Sequence, residues 1–71
     1  MIRSGTRVQW VWGSGQATGT VQTVFHETVT RQIDGSDITR KGSRDTPAYL
    51  IEQDNGQRVL KLATEVERAD A

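Results

Sequence analysis

Residues 48–62 read AYLIEQDNGQRVLKL, two β-prone runs separated by a short polar turn. The Asn55-Gly56 pair is the strongest short-range signal for a β-hairpin, because both residue types tolerate a positive φ angle. Alternate residues of each run share a face, as they do in strands that bury one side. We therefore predict a hairpin that joins 49–53 to 58–62 through a two-residue or bulged turn.

The N-terminal part of the chain has the same period of two. Val8, Trp10 and Trp12 fall on one face of the run from 6 to 12, which is typical of a half-buried strand. The two glycines within residues 13–16 then favour a turn, since glycine adopts positive φ angles at little cost. A strand followed by a tight turn is predicted here.

A long β-prone stretch follows over residues 17–31. Val21 and Val24 are three positions apart, so both can face inward only through a bulge or a sharp bend. Gly19 lies where the close approach of another strand would exclude a side chain. Strongly bent long strands of this kind close small barrels.

Residues 34–45 are predicted to form a long polar loop that is either functional or partly ordered. Ile38 is expected to pin this loop to the core. The stretch 63–68 permits two interpretations: Thr64 caps a single helical turn with Glu67 at the capping-box position, or a 3₁₀ turn leads into a last short strand.

The composition favours an all-β protein. Val, Ile and Thr make up 20 of the 71 residues, whereas Leu and Ala make up 8. About five short strands without a long helix fit a small, partly open barrel of SH3-like type, with a short 3₁₀ or helical turn near the C-terminus. We expect one domain over residues 1–71, with an ordered core over about 5–68.

The inventory of reactive side chains excludes several kinds of site. The chain has no cysteine and a single histidine, His26, so disulfides, thiolate metal sites and sites built from several histidines are excluded. No nucleophile elbow and no paired catalytic carboxylates are recognisable. We predict a protein that is not an enzyme and that uses no metal or other cofactor.

Charge is balanced overall but uneven along the chain. The chain has nine Lys and Arg residues and nine Asp and Glu residues. Residues 1–44 carry six of the basic and three of the acidic residues, whereas residues 45–71 carry three basic and six acidic residues. Zero net charge gives no long-range attraction to nucleic acid. No apolar run approaches the ~20 residues of a membrane span, and the N-terminus lacks an apolar signal segment. We expect a cytoplasmic protein without a membrane partner.

Two parts of the chain resemble known proteins. Residues 5–10 and 15–24, GTRVQW and GQATGTVQTV, are similar to the opening of an SH3-like barrel of the Tudor or KOW kind. The middle of the chain resembles the hypervirulence-associated Tudor-domain family, which comprises small bacterial and fungal proteins. The segments that carry this resemblance are Val29-Thr30-Arg31, Gly35-Ser36, Ile38-Thr39-Arg40, Pro47-Ala48-Tyr49-Leu50-Ile51-Glu52 and Arg58-Val59-Leu60-Lys61. The resemblance covers about residues 5–68 and implies a Tudor-like barrel; it implies no activity, since fold does not fix function.

Three aromatic residues are candidates for a ligand-binding surface on the open side of the barrel: Trp12, Phe25 and Tyr49. For Trp12, which shares a strand face with Trp10, a place in the core is the competing interpretation. Converging exposed rings can enclose a methylated lysine or stack a nucleic-acid base. We favour a binding module whose ligand is a protein segment.

Three basic residues on the predicted loop complete the candidate surface: Arg40, Lys41 and Arg44. Together with Arg31 they can form an electropositive lip for a phosphate backbone or an acidic peptide. Nucleic-acid binding through residues 31–44 is therefore one alternative. A self-associating structural protein is another, because exposed barrel edges favour homo-oligomers and strand addition.

Overall fold

The structure, a computed structural model, describes residues 2–69. Over this range the protein is all-β, with seven antiparallel strands and one short 3₁₀ helix. The strands are β1 (Arg7–Trp12), β2 (Gly15–Phe25), β3 (Thr28–Ile33), β4 (Ser36–Lys41), β5 (Ala48–Gln53), β6 (Arg58–Leu62) and β7 (Glu67–Arg68), and the 3₁₀ helix is Ala63–Glu65. The second interpretation of the C-terminal stretch is therefore confirmed.

Five of the strands form one sheet in the order β6-β5-β2-β1-β7. Its two edge strands, β6 and β7, are consecutive in the chain and are joined only by residues 63–66. Because so few residues join the two edge strands, the sheet must curve until its edges come close together. This gives the predicted small, SH3-like barrel. The predicted hairpin of β5 and β6 lies at one edge of this sheet.

The long strand β2 bends where the sequence predicted a bend. Its register with β5 shifts between Val21 and Thr23, so that Val21 pairs with Ile51 and Val24 pairs with Tyr49. Both valines consequently pack on the same hydrophobic cluster. The close approach of β5 also requires a glycine at position 19, because a Cβ atom there would lie 2.6 Å from Ile51 Cγ2.

Two hydrophobic clusters lie on opposite faces of the β5–β6 pair, since adjacent residues of a strand point to opposite sides. The barrel core is the cluster inside the rolled sheet: buried Val8, Trp10, Val21, Tyr49 and Ile51, with partly buried Ile2, Ala17, Val24, Val59, Ala63 and Val66. The hairpin core is the cluster on the other face, where β3 and β4 cover β5 and β6: buried Val29, Ala48 and Leu60, with partly buried Phe25, Ile33, Ile38, Leu50 and Leu62.

The long loop predicted over residues 34–45 is much shorter than expected. Residues 36–41 form β4, which pairs with β3 along its whole length to give a separate two-stranded sheet. Asp34 and Gly35 have φ angles of 51° and 82°, the values that a two-residue hairpin turn requires. Ile38 packs on the hairpin core, so the expected anchoring of this segment is confirmed.

The β5–β6 turn takes the bulged form of the predicted hairpin. Gln53 N donates to Gln57 O at 2.7 Å, and Gly56 N donates to Gln53 O at 2.9 Å. Gly56 has a φ angle of 89°, whereas Asn55 keeps a negative φ. This is the geometry of a three-residue loop that ends in a glycine bulge.

Candidate functional site

Trp12 is the most exposed large aromatic side chain among residues 2–69. It is the last residue of β1 and shares a strand face with Val8 and Trp10, but 73% of it is exposed, against 4% for Trp10. Its cross-strand partner is Gly15, which has no side chain to cover the indole ring. The face that forms the barrel core therefore continues outward into an uncovered tryptophan.

Trp12 lies in the wall of a cleft of about 500 Å³, which we call the Trp12 cleft. The end of β1, the β3–β4 turn and the β5–β6 turn border the cleft, through Trp12, Asp34 and Asn55 respectively. The residues that line the cleft are Trp10, Trp12, Asp34, Gln53, Asn55, Gln57, Arg58, Val59 and Lys61. The cleft thus combines an apolar wall with side-chain amides and charges.

A polar clamp holds the β5–β6 turn against the barrel. Arg7 donates two hydrogen bonds to the Asp54 carboxylate, at 2.7 and 3.1 Å, and a third to Thr20 Oγ1 at 3.1 Å. The hydrogen bond from Arg7 lowers the pKa of Asp54, and the same bond raises the pKa of Arg7. Because Arg7 lies on β1, the clamp ties the strand that carries Trp12 to the turn on the other side of the cleft.

The two cations of the cleft, Arg58 and Lys61, form no ion pair with any carboxylate of residues 2–69. Arg58 is exposed and Lys61 is half-buried. The acidic residue of the cleft is Asp34 at the tip of the β3–β4 turn. The cleft therefore carries a small excess of positive charge.

A second cleft of about 280 Å³ continues on the other side of β6, between this strand and the β3–β4 hairpin. It shares Asp34, Arg58, Val59 and Lys61 with the Trp12 cleft. Ile33 and Ile38 add an apolar wall. The two clefts together make a groove that follows β6.

Arg40 and Glu65 close one end of this groove. The hydrogen bond between Gln53 and Gln57 sets the pairing so that Leu60 and Leu62 direct their backbone groups away from β5. Arg40 Nε donates to Leu60 O at 3.2 Å, and Glu65 Oε1 accepts from Leu62 N at 2.7 Å. Arg40 Nε also lies 3.9 Å from Glu65 Oε1. The free edge of β6 is capped by side chains over this part of its length.

The structure separates the three aromatic residues that the sequence singled out. Tyr49 is 4% exposed and belongs to the barrel core, where burial raises the pKa of its hydroxyl. Phe25 packs on the hairpin core, and the Arg31 guanidinium lies 4.8 Å from the centre of its ring. Of the three, Trp12 alone lines the Trp12 cleft.

The basic residues of 31–44 are also not brought together as one surface. Arg31 lies over Phe25, and Arg40 contacts β6 and the 3₁₀ helix. Lys41 and Arg44 are exposed and form no ion pair within residues 2–69. Two of the four cations are therefore occupied by contacts within the fold.

Sequence reasoning missed Arg58, Lys61 and Asp34 as members of a site. One available signal was Trp12 itself, which follows two inward residues on a strand that ends at a glycine-rich turn. The turns at Asp34 and Asn55 were recognised, but their meeting with Trp12 depends on the closure of the barrel. Residue spacing within one element does not contain that information.

No metal centre is visible in the part of the chain that the structure describes. No three His, Cys, Asp or Glu side chains within residues 2–69 are placed to hold an ion together. His26 is exposed in the β2–β3 turn. No helix in the described range has the length and apolar character needed to cross a membrane.

Comparison with known proteins identifies the family. The sequence profile described as the Tudor domain of hypervirulence-associated proteins matches residues 5–66. The chain belongs to this family. No curated protein and no solved structure gives a significant match. Tudor-type domains are small binding modules, and the rolled five-stranded sheet with its 3₁₀ turn agrees with that fold.

Proposed function

We propose that this Tudor-family protein is a non-enzymatic module that binds an extended protein segment in the Trp12 cleft. The observation that carries the proposal is the 73% exposure of Trp12 in the wall of a cleft of about 500 Å³. Leaving an indole in water forgoes much of the free energy that burial of so large an apolar surface provides. Exposed tryptophans in concave sites are common centres of binding energy.

The polar lining of the cleft suits a polypeptide backbone. Asn55 Oδ1 accepts from Gln57 N at 2.9 Å, and Asn55 Nδ2 donates to Gln57 Oε1 at 3.4 Å. Because a side-chain amide has two N–H donors and two acceptor lone pairs, Gln53, Asn55 and Gln57 keep groups that can satisfy peptide N–H and C=O groups. The Arg7–Asp54 clamp fixes the turn that carries two of these amides. A preorganised wall lowers the entropy cost of binding.

Two other ligands suggested by the sequence fit the cleft less well. A methylated lysine needs several converging aromatic rings and negative charge, but the cleft offers one exposed ring beside Arg58 and Lys61. Nucleic acid needs a continuous basic surface, but Arg31 and Arg40 are engaged within the fold. These contacts favour a protein segment.

Selection from a displayed library of random 12-residue peptides tests the proposal. Wild-type protein is the target, and binders are re-screened against Trp12→Ala. Because Trp12 is exposed, this variant should fold, with a far-ultraviolet circular dichroism spectrum typical of the same β-structure and an unchanged thermal midpoint. We expect binders whose affinity falls at least about tenfold in Trp12→Ala, since Trp anchors contribute 2 kcal/mol or more.

Two outcomes would overturn the proposal: a library without binders, or binders with equal affinity for Trp12→Ala. The alternatives are measured in parallel. Salt-sensitive binding of a 12-residue oligo-dT that is lost in Lys41→Ala/Arg44→Ala would support nucleic-acid recognition by residues 31–44. A sedimentation coefficient that rises over a hundredfold range of concentration would support self-association instead.

A further inference from the structure

We infer that the segment bound in the Trp12 cleft is acidic, with carboxylates that pair with Arg58 and Lys61 and an apolar side chain against Trp12. This inference rests on the proposed function and adds the chemical class of the ligand. It starts from the two cations of the cleft that have no carboxylate partner among residues 2–69.

The neighbours of Arg58 leave its charge available. Glu52 lies directly opposite Arg58 in the β5–β6 pair, yet the two side chains form no ion pair. Arg58 borders both clefts along β6, so its side chain is accessible to a ligand in the groove. A planar guanidinium in this position can take a carboxylate through two parallel hydrogen bonds.

Two other arginines in this fold have guanidinium groups that are held by hydrogen bonds or lie near a carboxylate. Arg7 is held by Asp54, and Arg40 is held by Leu60 O near Glu65. Each of these contacts fastens one structural element to another. No side-chain hydrogen bond or ion pair within residues 2–69 holds Arg58 or Lys61, although both line the cleft that contains Trp12, the one exposed tryptophan of that range.

The spacing of the two cations indicates a pattern in the ligand. Arg58 and Lys61 are three residues apart on β6, which is about 10 Å along a strand, and they point to opposite faces. An extended segment that approaches β6 at its open end, before the part of the edge that Arg40 and Glu65 cap, has the same rise and alternation. Acidic residues at positions i and i+3, with an apolar residue between them, would therefore meet both cations and Trp12.

Asp34 limits how much negative charge the ligand can carry. Asp34 lies at the tip of the β3–β4 turn and lines both clefts together with the two cations. A phosphate at every nucleotide would bring repeated charges close to it. A peptide with two spaced carboxylates brings fewer negative charges near Asp34 and meets less repulsion, which favours an acidic protein segment over a nucleic acid.

The charge of the selected 12-residue peptides, read by sequencing, tests the inference. With wild-type protein we expect enrichment of Asp or Glu at i and i+3, and affinity that falls as salt is raised. With Arg58→Glu/Lys61→Glu as the target, enrichment should switch to Lys and Arg at the same spacing. Lys41→Glu/Arg44→Glu carries the same charge change outside the cleft and should leave the selection unchanged.

The outcomes separate the two proposals. Trp12-dependent binders that are neutral or basic, or a preference unaffected by the reversal of Arg58 and Lys61, would overturn the acidic ligand and leave peptide binding standing. A library without Trp12-dependent binders overturns both. Displacement of the selected acidic peptides by oligo-dT at equal concentration would indicate that a phosphate backbone is the better ligand, which also contradicts the inference.

Discussion

The barrel core and the hairpin core are closed in different ways, although they share β5 and β6. The barrel core lies inside a sheet whose two edges come together, and Val8 and Ile51 within it are fully buried. The hairpin core is covered by a separate two-stranded sheet; within residues 2–69 it has three buried members against five in the barrel core, and partly buried apolar residues surround both. The free energy of local unfolding should be higher where a core is more completely enclosed. We therefore expect the β3–β4 hairpin to unfold first and the barrel last.

The largest expected effect is the difference in the free energy of unfolding between matched Ile→Ala substitutions in the two cores. Ile51→Ala empties a fully buried site in the barrel core and should lower the free energy of unfolding by about 3 kcal/mol. Ile38→Ala removes the same atoms from a half-buried site in the hairpin core and should cost about 1 kcal/mol. Urea denaturation of both variants measures the difference. Equal losses would show that the hairpin is as integral to the fold as the barrel.

A second pair of substitutions compares the turns of the two regions. Gly56 and Gly35 have φ angles of 89° and 82°, and neither has an atom within 4 Å of the place a Cβ would occupy. Gly56→Val should therefore destabilise the protein by about 1 kcal/mol through backbone strain alone. Gly35→Val carries the same strain, but in thermal unfolding it should lower the midpoint less, because the β3–β4 hairpin can open while the barrel stays folded. A larger loss from Gly35→Val would reverse the proposed order of opening.

The attachment of the hairpin to the barrel can be weakened directly. Arg40→Ala removes the hydrogen bond to Leu60 O and the contact with Glu65, at a cost of about 1 kcal/mol. Amide exchange should accelerate over 28–41 and stay slow in β1 and β2. Arg44→Ala, which removes an exposed arginine of the same region, is the control and should leave exchange unchanged. Uniform acceleration across the barrel would mean that Arg40 stabilises the whole domain.

The smallest effect concerns alkaline pH and the barrel core. Burial raises the pKa of Tyr49 above 10.0, so the folded state favours the neutral phenol. The contribution of this raised pKa to the free energy of unfolding is fully present below pH 10, and it is lost as the pH rises through the pKa of Tyr49 in the folded protein. Since Tyr49 is the only tyrosine, ultraviolet titration at 295 nm follows it alone. A midpoint at or below 10 in the folded protein would contradict its place in the core.

The sequence determined the barrel more clearly than the hairpin, for physical reasons. The bend at Val21 and Val24, the close approach at Gly19 and the turn at Gly56 each follow from local requirements that particular residues meet. Strand β4 has a single apolar residue, Ile38, because its other face is in water, so its alternation is nearly invisible in the sequence.

The candidate site was only partly predictable for a different reason. Trp12 was identified from its strand pattern, but Tyr49 lies in the barrel core, a placement that depends on register with β2. Arg58 and Asp34 share a cleft with Trp12 only when the end of β1, the β3–β4 turn and the β5–β6 turn, which are distant in sequence, come together. Contacts of this kind come from topology, which residue spacing within a single element does not encode.

Chemical-shift mapping of ¹⁵N-labelled protein with the tightest selected 12-residue peptide tests the central claim most directly. Only two indole N–H signals exist, from Trp10 and Trp12. We predict that the Trp12 indole signal and the backbone signals of 55–61 shift on binding, while the exposed residues Lys41 and Arg44 do not. Shifts centred on 40–44 with an unchanged Trp12 indole would place the binding surface on the other region of the molecule and contradict the account.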